Sequence, residues 1–146
     1  MIYSARRRDP ALGTAPRITG KASDTQLDME SADLERAVQY LREGGIVATP
    51  TDTLYGLAVD AFNRSAIDRV FAVKGRPKDL ALPVLVGDWN QVKRVAKNLP
   101  PQVRTLAGSF WPGGLTLVLE KADDLPDQVT AEGQTVAVRM PDHPVP

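Results

Sequence analysis

Five short segments hold most of the side chains in this sequence that could bind or transform a ligand. They cover residues 50–56, 74–78, 111–116, 135–141 and 142–143. Each contains or adjoins Gly or Pro among polar or charged residues, so it suits a turn or a ligand better than a buried core. Hydroxyls, a carboxylate and several cations dominate these segments, which points to the binding of small polar or phosphorylated molecules.

The segment 50–56 reads Pro-Thr-Asp-Thr-Leu-Tyr-Gly and follows a short apolar run that suits a buried strand. In α/β sheets, ligands gather beyond the carboxyl ends of strands. Two hydroxyls, a carboxylate and a phenol within five residues can bind a small polar molecule. The alternative is a capped turn in which Asp52 and Thr53 hydrogen-bond to their own backbone, and the pattern alone slightly favours that turn.

The segment 74–78 places Lys74, Arg76 and Lys78 around a Gly and a Pro. Arginine can bind phosphate through two N–H groups and lysine acts as a mobile point charge, so this loop suits a triphosphate. It lacks the spacing of a P-loop. The alternative is a helix C-terminus whose cations complement the helix dipole, and spacing does not separate the two.

The two segments nearer the C-terminus combine glycines with a strand that carries an arginine. Gly113 and Gly114 allow close approach to a ligand, although a tight helix-to-strand connection is the simpler interpretation. Strand alternation puts Thr135, Ala137 and Arg139 on one face. Arg139 could bind a carboxylate there, and the alternative is an edge-strand arginine in a surface ion pair, which contributes little.

Composition excludes several kinds of chemistry. The chain has no cysteine, so disulfides, thiolate metal sites and cysteine nucleophiles are ruled out. His143 is the single histidine, which argues against a Ser-His-Asp triad or a multi-histidine metal site and is expected to pack or to lie at the surface. The 18 basic and 18 acidic residues balance, so bulk charge does not favour nucleic acid. No apolar run suits a membrane span and no signal segment is evident, so a cytoplasmic location is expected.

The elements that must position these residues lie in one domain, 30–146. Helical spacing predicts helices from 31 to Gly44, from Ser65 to 74, from Asp88 to 99 and from 103 to 110. Short apolar or alternating runs predict strands at 46–49, 82–86, 115–120 and 135–139. The class is therefore α/β, with a twisted, mostly open mixed sheet flanked by helices.

The preceding segment, 1–29, is predicted to be a flexible N-terminal tail. It has no sustained apolar period and cannot offset the entropy of ordering. Arg6, Arg7 and Arg8 could contact RNA, although a solvated arm is the simpler interpretation.

In order and spacing, the motifs resemble those of the threonylcarbamoyl-AMP synthase family, the YrdC-type domain. They are PTDTLYGLAVD (50–60), the stretch ending in KGRP (67–77), LPVLV (82–86), FWPGGLTLVL (110–119) and TVAVRMPDHP (135–144). The resemblance covers roughly residues 31–146. It implies a twisted α/β sheet around a large positively charged cavity.

The resemblance also implies a reaction. L-threonine and bicarbonate or CO2 form an N-carboxylated amino acid, which attacks the α-phosphate of ATP to give threonylcarbamoyl-AMP and pyrophosphate. Mg²⁺ is expected to accompany ATP, and tRNA-modification partner proteins then pass the group to an adenosine of tRNA. Carried over by motif, Thr53, Tyr55, Thr116 and Arg139 would bind threonine or bicarbonate. Lys74 and Arg76 would hold the phosphates as the catalytic cations, and Thr135 would lie near the nucleotide.

The sequence departs from the family pattern in two places. Where relatives often have His-Pro-Leu or Asn-Pro-Leu after KGRP, this chain has Lys78-Asp79-Leu80-Ala81, which removes an expected polar contact. The family pattern also continues with a Ser-x-Asn element that binds nucleotide, whereas this sequence ends at Pro146. We therefore expect a fragment or truncated product that binds ATP weakly and exposes apolar sheet surface.

Three other functions stay open. The first is binding of double-stranded RNA or tRNA without turnover, through Arg6–Arg8 and the 74–78 loop. The second is a scaffolding role with no positive feature in its favour. The third is the carbamoyl transfer of a larger hydrogenase-maturation enzyme, for which the chain is too short to contain the additional domains.

Overall fold

The computed structural model describes residues 2–4, 31–52 and 54–145. Strands and helices alternate along most of this part of the chain. In order they are β1 (Ile2–Ser4), α1 (Ser31–Arg42), β2 (Val47–Thr49), β3 (Gly56–Ala58), α2 (Arg64–Lys74), β4 (Val84–Leu85), α3 (Trp89–Val95), α4 (Pro101–Phe110), β5 (Thr116–Glu120), α5 (Asp127–Thr130) and β6 (Thr135–Arg139). The predicted α/β class is confirmed.

The strands form two small open sheets. In the first, β3 lies between β1 and β2 and is antiparallel to both. In the second, β6 lies between β4 and β5, parallel to β4 and antiparallel to β5. The arrangement is therefore mixed, as predicted, and the strand order, which periodicity could not give, makes β6 the central strand of the second sheet.

One face of the second sheet is buried and the other is open. The core joins residues from α2, β4, α3, α4, β5, α5 and β6, including Ile67, Val84, Val92, Val103, Leu117, Val129 and Val138. Because strand side chains alternate between faces, the neighbours of Leu117 on β5 point the other way. Val118 is 67% exposed on that open face. The open face is therefore the surface of this sheet on which a ligand could lie.

Local capping explains where two of the helices begin. Asp88 accepts a hydrogen bond from the backbone N–H of Gln91 at 2.8 Å, which confirms the predicted start of α3. The helix predicted to start at Ser65 instead begins at Arg64, because Asn63 caps it and accepts from Ala66 N–H at 3.0 Å. Asparagine and serine both favour N-cap positions, so residue type alone does not decide between positions 63 and 65.

Three short elements were not predicted: β1, β3 and α5. β1 falls within the segment predicted as a flexible tail, and the rest of that tail, including Arg6–Arg8, lies outside the described residues. Thr53 and Pro146 also lie outside them. Within the described part of the chain, no helix combines the length and the hydrophobicity that a bilayer crossing requires.

Candidate functional site

Arg139 is the last residue of β6, and two distant segments of the chain meet its side chain. Its Nε donates to the carbonyl of Gly113 at 2.9 Å. Its Nη2 lies 2.5 and 2.6 Å from the two carboxylate oxygens of Asp52. The side chains of Arg139 and Asp52 are only 17% and 20% exposed. The alternative of an ion pair is therefore confirmed, but its placement on an edge strand at the surface is wrong, because β6 is central and both side chains are mostly buried.

The loop before β3 contributes Asp52 to this arrangement. Thr51 Oγ1 donates to the carbonyl of Leu54 at 2.8 Å and accepts from the Leu54 N–H at 3.2 Å. The loop is thus a side-chain-stabilised turn, but Thr51 makes the internal bonds while Asp52 reaches across to β6. Tyr55, predicted to shape a substrate pocket, follows this turn and is 59% exposed.

The α4–β5 connection contributes the Gly113 carbonyl. Gly113 N–H donates to the Met140 carbonyl at 2.8 Å, and the Gly113 carbonyl accepts from Arg139 Nε. Both backbone polar groups of Gly113 therefore bond to the end of β6. A Cβ at position 113 would lie 2.8 Å from the Phe110 carbonyl oxygen, which explains the glycine. The predicted tight connection and the predicted ligand approach are compatible, because this turn also fixes the arginine.

Three residues predicted from the sequence share the open face of the second sheet. Thr116 on β5 is directly opposite Arg139 on β6, and Thr135 is opposite Glu120. Thr116 and Thr135 are both exposed. Thr135 and Arg139 are four residues apart on one strand face, which corresponds to about 13 Å. The face therefore carries polar groups at both ends, with Val118 and Ala137 between them.

Lys74 and Arg76 form a cationic turn at the end of α2. Gly75 adopts a left-handed conformation, with φ of 58°, and ends the helix. Arg76 Nη2 donates to the Ala81 carbonyl at 3.0 Å, which holds the turn against the following segment. Partial burial, and next the charge of Arg76, lower the pKa of Lys74 to about 8. The predicted positive loop is therefore present, although Lys78 forms an ion pair with Asp68 at 2.7 Å.

The cationic turn leads into β4 of the second sheet. β4 follows the turn and runs parallel to β6, with Val84 opposite Val138. The residues that precede Val84 therefore approach from the side where β6 begins. Leu82 N–H donates to the Val129 carbonyl at 2.8 Å, in the helix just before β6. The Arg76–Ala81 and Leu82–Val129 hydrogen bonds thus link the cationic turn to the segments that precede β4 and β6.

The remaining candidate within the described residues, His143, has a local contact. His143 Nδ1 accepts from the Val145 N–H at 3.2 Å, which agrees with its interpretation as a packing residue. Thr53 lies outside the described residues. Asp52 is the contributor that sequence reasoning left without a role. Its place beside Thr53 was a signal, but its partner is 87 positions away in the sequence.

Comparison with known proteins identifies the family. A model of the Sua5/YciO/YrdC family, described as "Telomere recombination", matches residues 39–146. The chain belongs to the Sua5/YciO/YrdC family. This finding confirms the resemblance that the five motifs indicated.

Two relatives that are 42% identical to this chain are named for the same enzyme. Threonylcarbamoyl-AMP synthase of Pyrococcus abyssi is 42% identical over 117 residues, which are 80% of this chain and 34% of that protein. The Bacillus subtilis protein of the same name is 42% identical over 121 residues, 82% of this chain and 35% of that protein. The chain spans about a third of the length of these two relatives.

Solved structures of the Sua5/YciO/YrdC family have the same fold. Sua5 of P. abyssi complexed with L-threonine aligns with a TM-score of 0.77 and 42% identity, over 80% of this chain and 34% of that chain. YciO of Escherichia coli aligns with a TM-score of 0.67 at 22% identity, over 77% of this chain and 54% of that chain, and shows the shared fold alone.

Proposed function

We propose that this chain takes part in the synthesis of threonylcarbamoyl-AMP and pyrophosphate from L-threonine, bicarbonate or CO2, and ATP. The observation that carries the proposal is the convergence of Asp52, the Gly113 turn and Arg139 at the end of β6, beside Thr116. Its support from relatives is the 42% identity to a protein named for this activity and solved with L-threonine.

The threonine end of the proposed site is the end of β6. Arg139 supplies a guanidinium for the carboxylate, since charge-assisted N–H donors suit a planar anion. Thr116, exposed and opposite Arg139, supplies a hydroxyl on the same face. Thr53 and Tyr55 belong to the loop that Asp52 fastens there, and in the proposal they complete the amino-acid pocket.

The nucleotide end of the proposed site is the start of β6. Lys74 and Arg76 bring two positive charges together, and the lowered pKa of Lys74 reflects both its partial burial and the repulsion from Arg76. A bound triphosphate would relieve that repulsion and would be stabilised by both cations. Thr135 lies on the open face at this end. Within residues 2–4, 31–52 and 54–145 no cluster of three or more His, Cys, Asp or Glu residues could hold a metal, so in the proposal Mg²⁺ arrives on the phosphates of ATP.

The proposed chemistry needs positioning and charge stabilisation. The threonine nitrogen bonds to the carbon of CO2 and loses a proton, and an oxygen of the resulting carbamate attacks the α-phosphate while pyrophosphate leaves. Two anions must be brought together, which cations at both ends of one sheet face can achieve. Fixed cations also stabilise the charge that develops on the leaving pyrophosphate. In the proposal, tRNA-modification partners accept the product.

The experiment is threonine- and bicarbonate-dependent release of pyrophosphate from ATP by this chain. Arg76→Ala is expected to abolish release, because it removes a phosphate-binding cation. Lys78→Ala is the matched control, since it removes a cation of the same loop that is paired with Asp68. Release that does not depend on threonine, or equal loss in both variants, would contradict the proposal.

Duplex RNA or tRNA binding without turnover is the alternative that the same measurements address. It predicts salt-sensitive binding of duplex RNA by a chain that releases no pyrophosphate. Its proposed contacts were Arg6–Arg8, which lie outside the described residues, and the 74–78 loop. Because Lys78 is engaged with Asp68, the loop offers this function fewer cations than its sequence suggests.

A further inference from the structure

We infer that Asp52 is a positioning residue that fixes the guanidinium of Arg139 for the carboxylate of the amino-acid substrate. The inference rests on the proposed function and adds a residue to it. In this inference Asp52 does not contact the substrate itself. It acts through Arg139, whose Nη2 lies within 2.6 Å of both of its carboxylate oxygens.

The guanidinium of Arg139 has two of its three nitrogens engaged by the protein. Nε is held by the Gly113 carbonyl and Nη2 by the Asp52 carboxylate. Nη1 donates to none of the described residues. A guanidinium is planar and its five N–H groups have fixed directions, so two anchors determine where the Nη1 hydrogens lie. The third nitrogen is thereby preorganised as a donor for a ligand.

The two anchors of Arg139 come from different segments of the chain. Gly113 belongs to a turn that is bonded to Met140, directly after β6. Asp52 belongs to the loop before β3 in the other sheet, and this loop also carries Thr53 and Tyr55. Asp52 therefore sets two things at once: the plane of the guanidinium and the distance between the loop and the end of β6.

Asp52 could either orient Arg139 for the substrate or compete with the substrate for Arg139, and these two roles predict opposite changes in threonine affinity when Asp52 is removed. If Asp52 only occupied Arg139, its removal would free a cation and tighten the binding of threonine. Positioning predicts weaker binding, because substrate can use Nη1 while the ion pair stays intact, and a largely buried arginine without its partner loses its fixed orientation. The pair's burial favours positioning, since a substrate that displaced Asp52 would leave a carboxylate unpaired in a mostly buried place.

The first test is nuclear magnetic resonance of arginine side chains in the complete 146-residue chain without substrate. One arginine should give separate, slowly exchanging Nη signals that vanish in Arg139→Ala and in Asp52→Ala, and that survive in Asp123→Ala. Asp123 is the control because its ion pair with Lys97 also joins distant segments but is exposed. Unchanged Arg139 signals in Asp52→Ala would overturn the inference.

The second test is calorimetric titration with L-threonine and with L-threoninamide, which lacks the carboxylate. Asp52→Ala should weaken threonine binding about tenfold or more, the range expected for one charge-assisted hydrogen bond. Asp52→Asn should recover most of the affinity, because its amide oxygen can still accept from Nη2. Binding of threoninamide should weaken clearly less than binding of threonine, because displacement of the loop affects both ligands, whereas the orientation of the Arg139 guanidinium matters only for the ligand with a carboxylate.

The outcomes separate the inference from the function on which it rests. Tighter threonine binding in Asp52→Ala, or an equal loss for both ligands together with a lower melting temperature, overturns the positioning role. If wild-type chain binds neither ligand while its Arg139 signals depend on Asp52, the proposed function fails and the inference of a threonine-positioning role fails with it. If wild-type chain binds threonine and Asp52→Ala changes nothing, the inference alone fails.

Discussion

The surroundings of Lys74 change the pH range in which its ammonium group carries a charge. Burial lowers the pKa of its ammonium group because the charged form loses hydration, and the charge of Arg76 lowers it further, to about 8. The unfolded chain would hold this proton until about pH 10.4. Protonated Lys74 therefore costs folding free energy below pH 8, and this cost is relieved as the pH rises from 8 toward the unfolded value.

The same pKa predicts the pH dependence of ATP binding. A triphosphate favours the protonated lysine, so affinity should be constant below pH 8 and should fall as the pH rises above it, by up to about tenfold per unit. Lys74→Arg should bind ATP with little change between pH 7 and 9.5, because a guanidinium stays charged throughout. Calorimetric titration across this range checks the prediction, and an equal decline in both proteins would contradict it.

The placement of individual site residues could be predicted only in part. The pairing of Thr116 with Arg139 across two strands follows from register, which the sequence does not contain. The alternation that put Thr135 and Arg139 on one face was visible, because strand side chains repeat every two residues. The contact between Asp52 and Arg139 was not visible, since no local pattern links positions 87 residues apart.

At the scale of elements, the N-caps show which helix starts can be predicted from local sequence. Asp88 and Gln91 form a reciprocal cap, because the Asp88 carboxylate accepts from Gln91 N–H while the Gln91 side chain accepts from Gly87 N–H at 2.9 Å. This signal was readable, since both residues stand at the required spacing. The cap of α2 was ambiguous because Asn63 and Ser65 both precede the apolar face.

The two candidate caps of α2 give a direct test. Asn63→Ala should lower the free energy of unfolding by about 1 kcal/mol, because the Ala66 N–H loses its acceptor. Ser65→Ala should change it by less than about 0.5 kcal/mol, because Ser65 is exposed inside the helix. Denaturant unfolding of both variants measures the difference, and a larger effect at Ser65 would show that the helix begins there.

Short elements escaped prediction for a physical reason. β3 and α5 have three and four residues, too few for a period of two or of 3.6 to stand out. β4 is shorter than its apolar run, because Leu82 donates its N–H to the Val129 carbonyl rather than to a strand. The long amphipathic helices and the five-residue strands were found because they repeat their pattern several times.

The same substitution should lower the free energy of unfolding by different amounts on the two faces of the second sheet. Val138→Ala removes two methyl groups from a fully buried position and should lower the free energy of unfolding by about 2 kcal/mol. Val118 lies on the open face of the adjacent strand and is 67% exposed. Val118→Ala should therefore change the free energy of unfolding by less than about 0.5 kcal/mol. Equal effects in denaturant unfolding would mean that the open face is covered in solution.

At the scale of the whole molecule, the site is a meeting of distant segments. Asp52 precedes β3, Gly113 follows α4, and Arg139 ends β6, and they meet in one hydrogen-bonded group. The motifs were all recognisable, but their convergence depends on a strand order that places β6 in the centre. Among these three residues, the resemblance to a family implied a role for Arg139 alone, and the structure supplied its contacts with Asp52 and Gly113.

If the proposed function is correct, threonine binding should slow amide hydrogen exchange in both sheets. A ligand that binds the native state alone at 100 times its Kd stabilises it by about 2.7 kcal/mol, so local openings that release it become about a hundredfold rarer. Hydrogen exchange with saturating threonine should slow at the amides of β3, Gly113 and β6, because these segments surround Arg139. It should not slow in α1, which contributes none of the proposed contacts, or anywhere in Arg139→Ala. Protection confined to β5 and β6 would show that the 50–55 loop does not close on the ligand, and uniform protection would indicate that threonine stabilises the domain only against global unfolding.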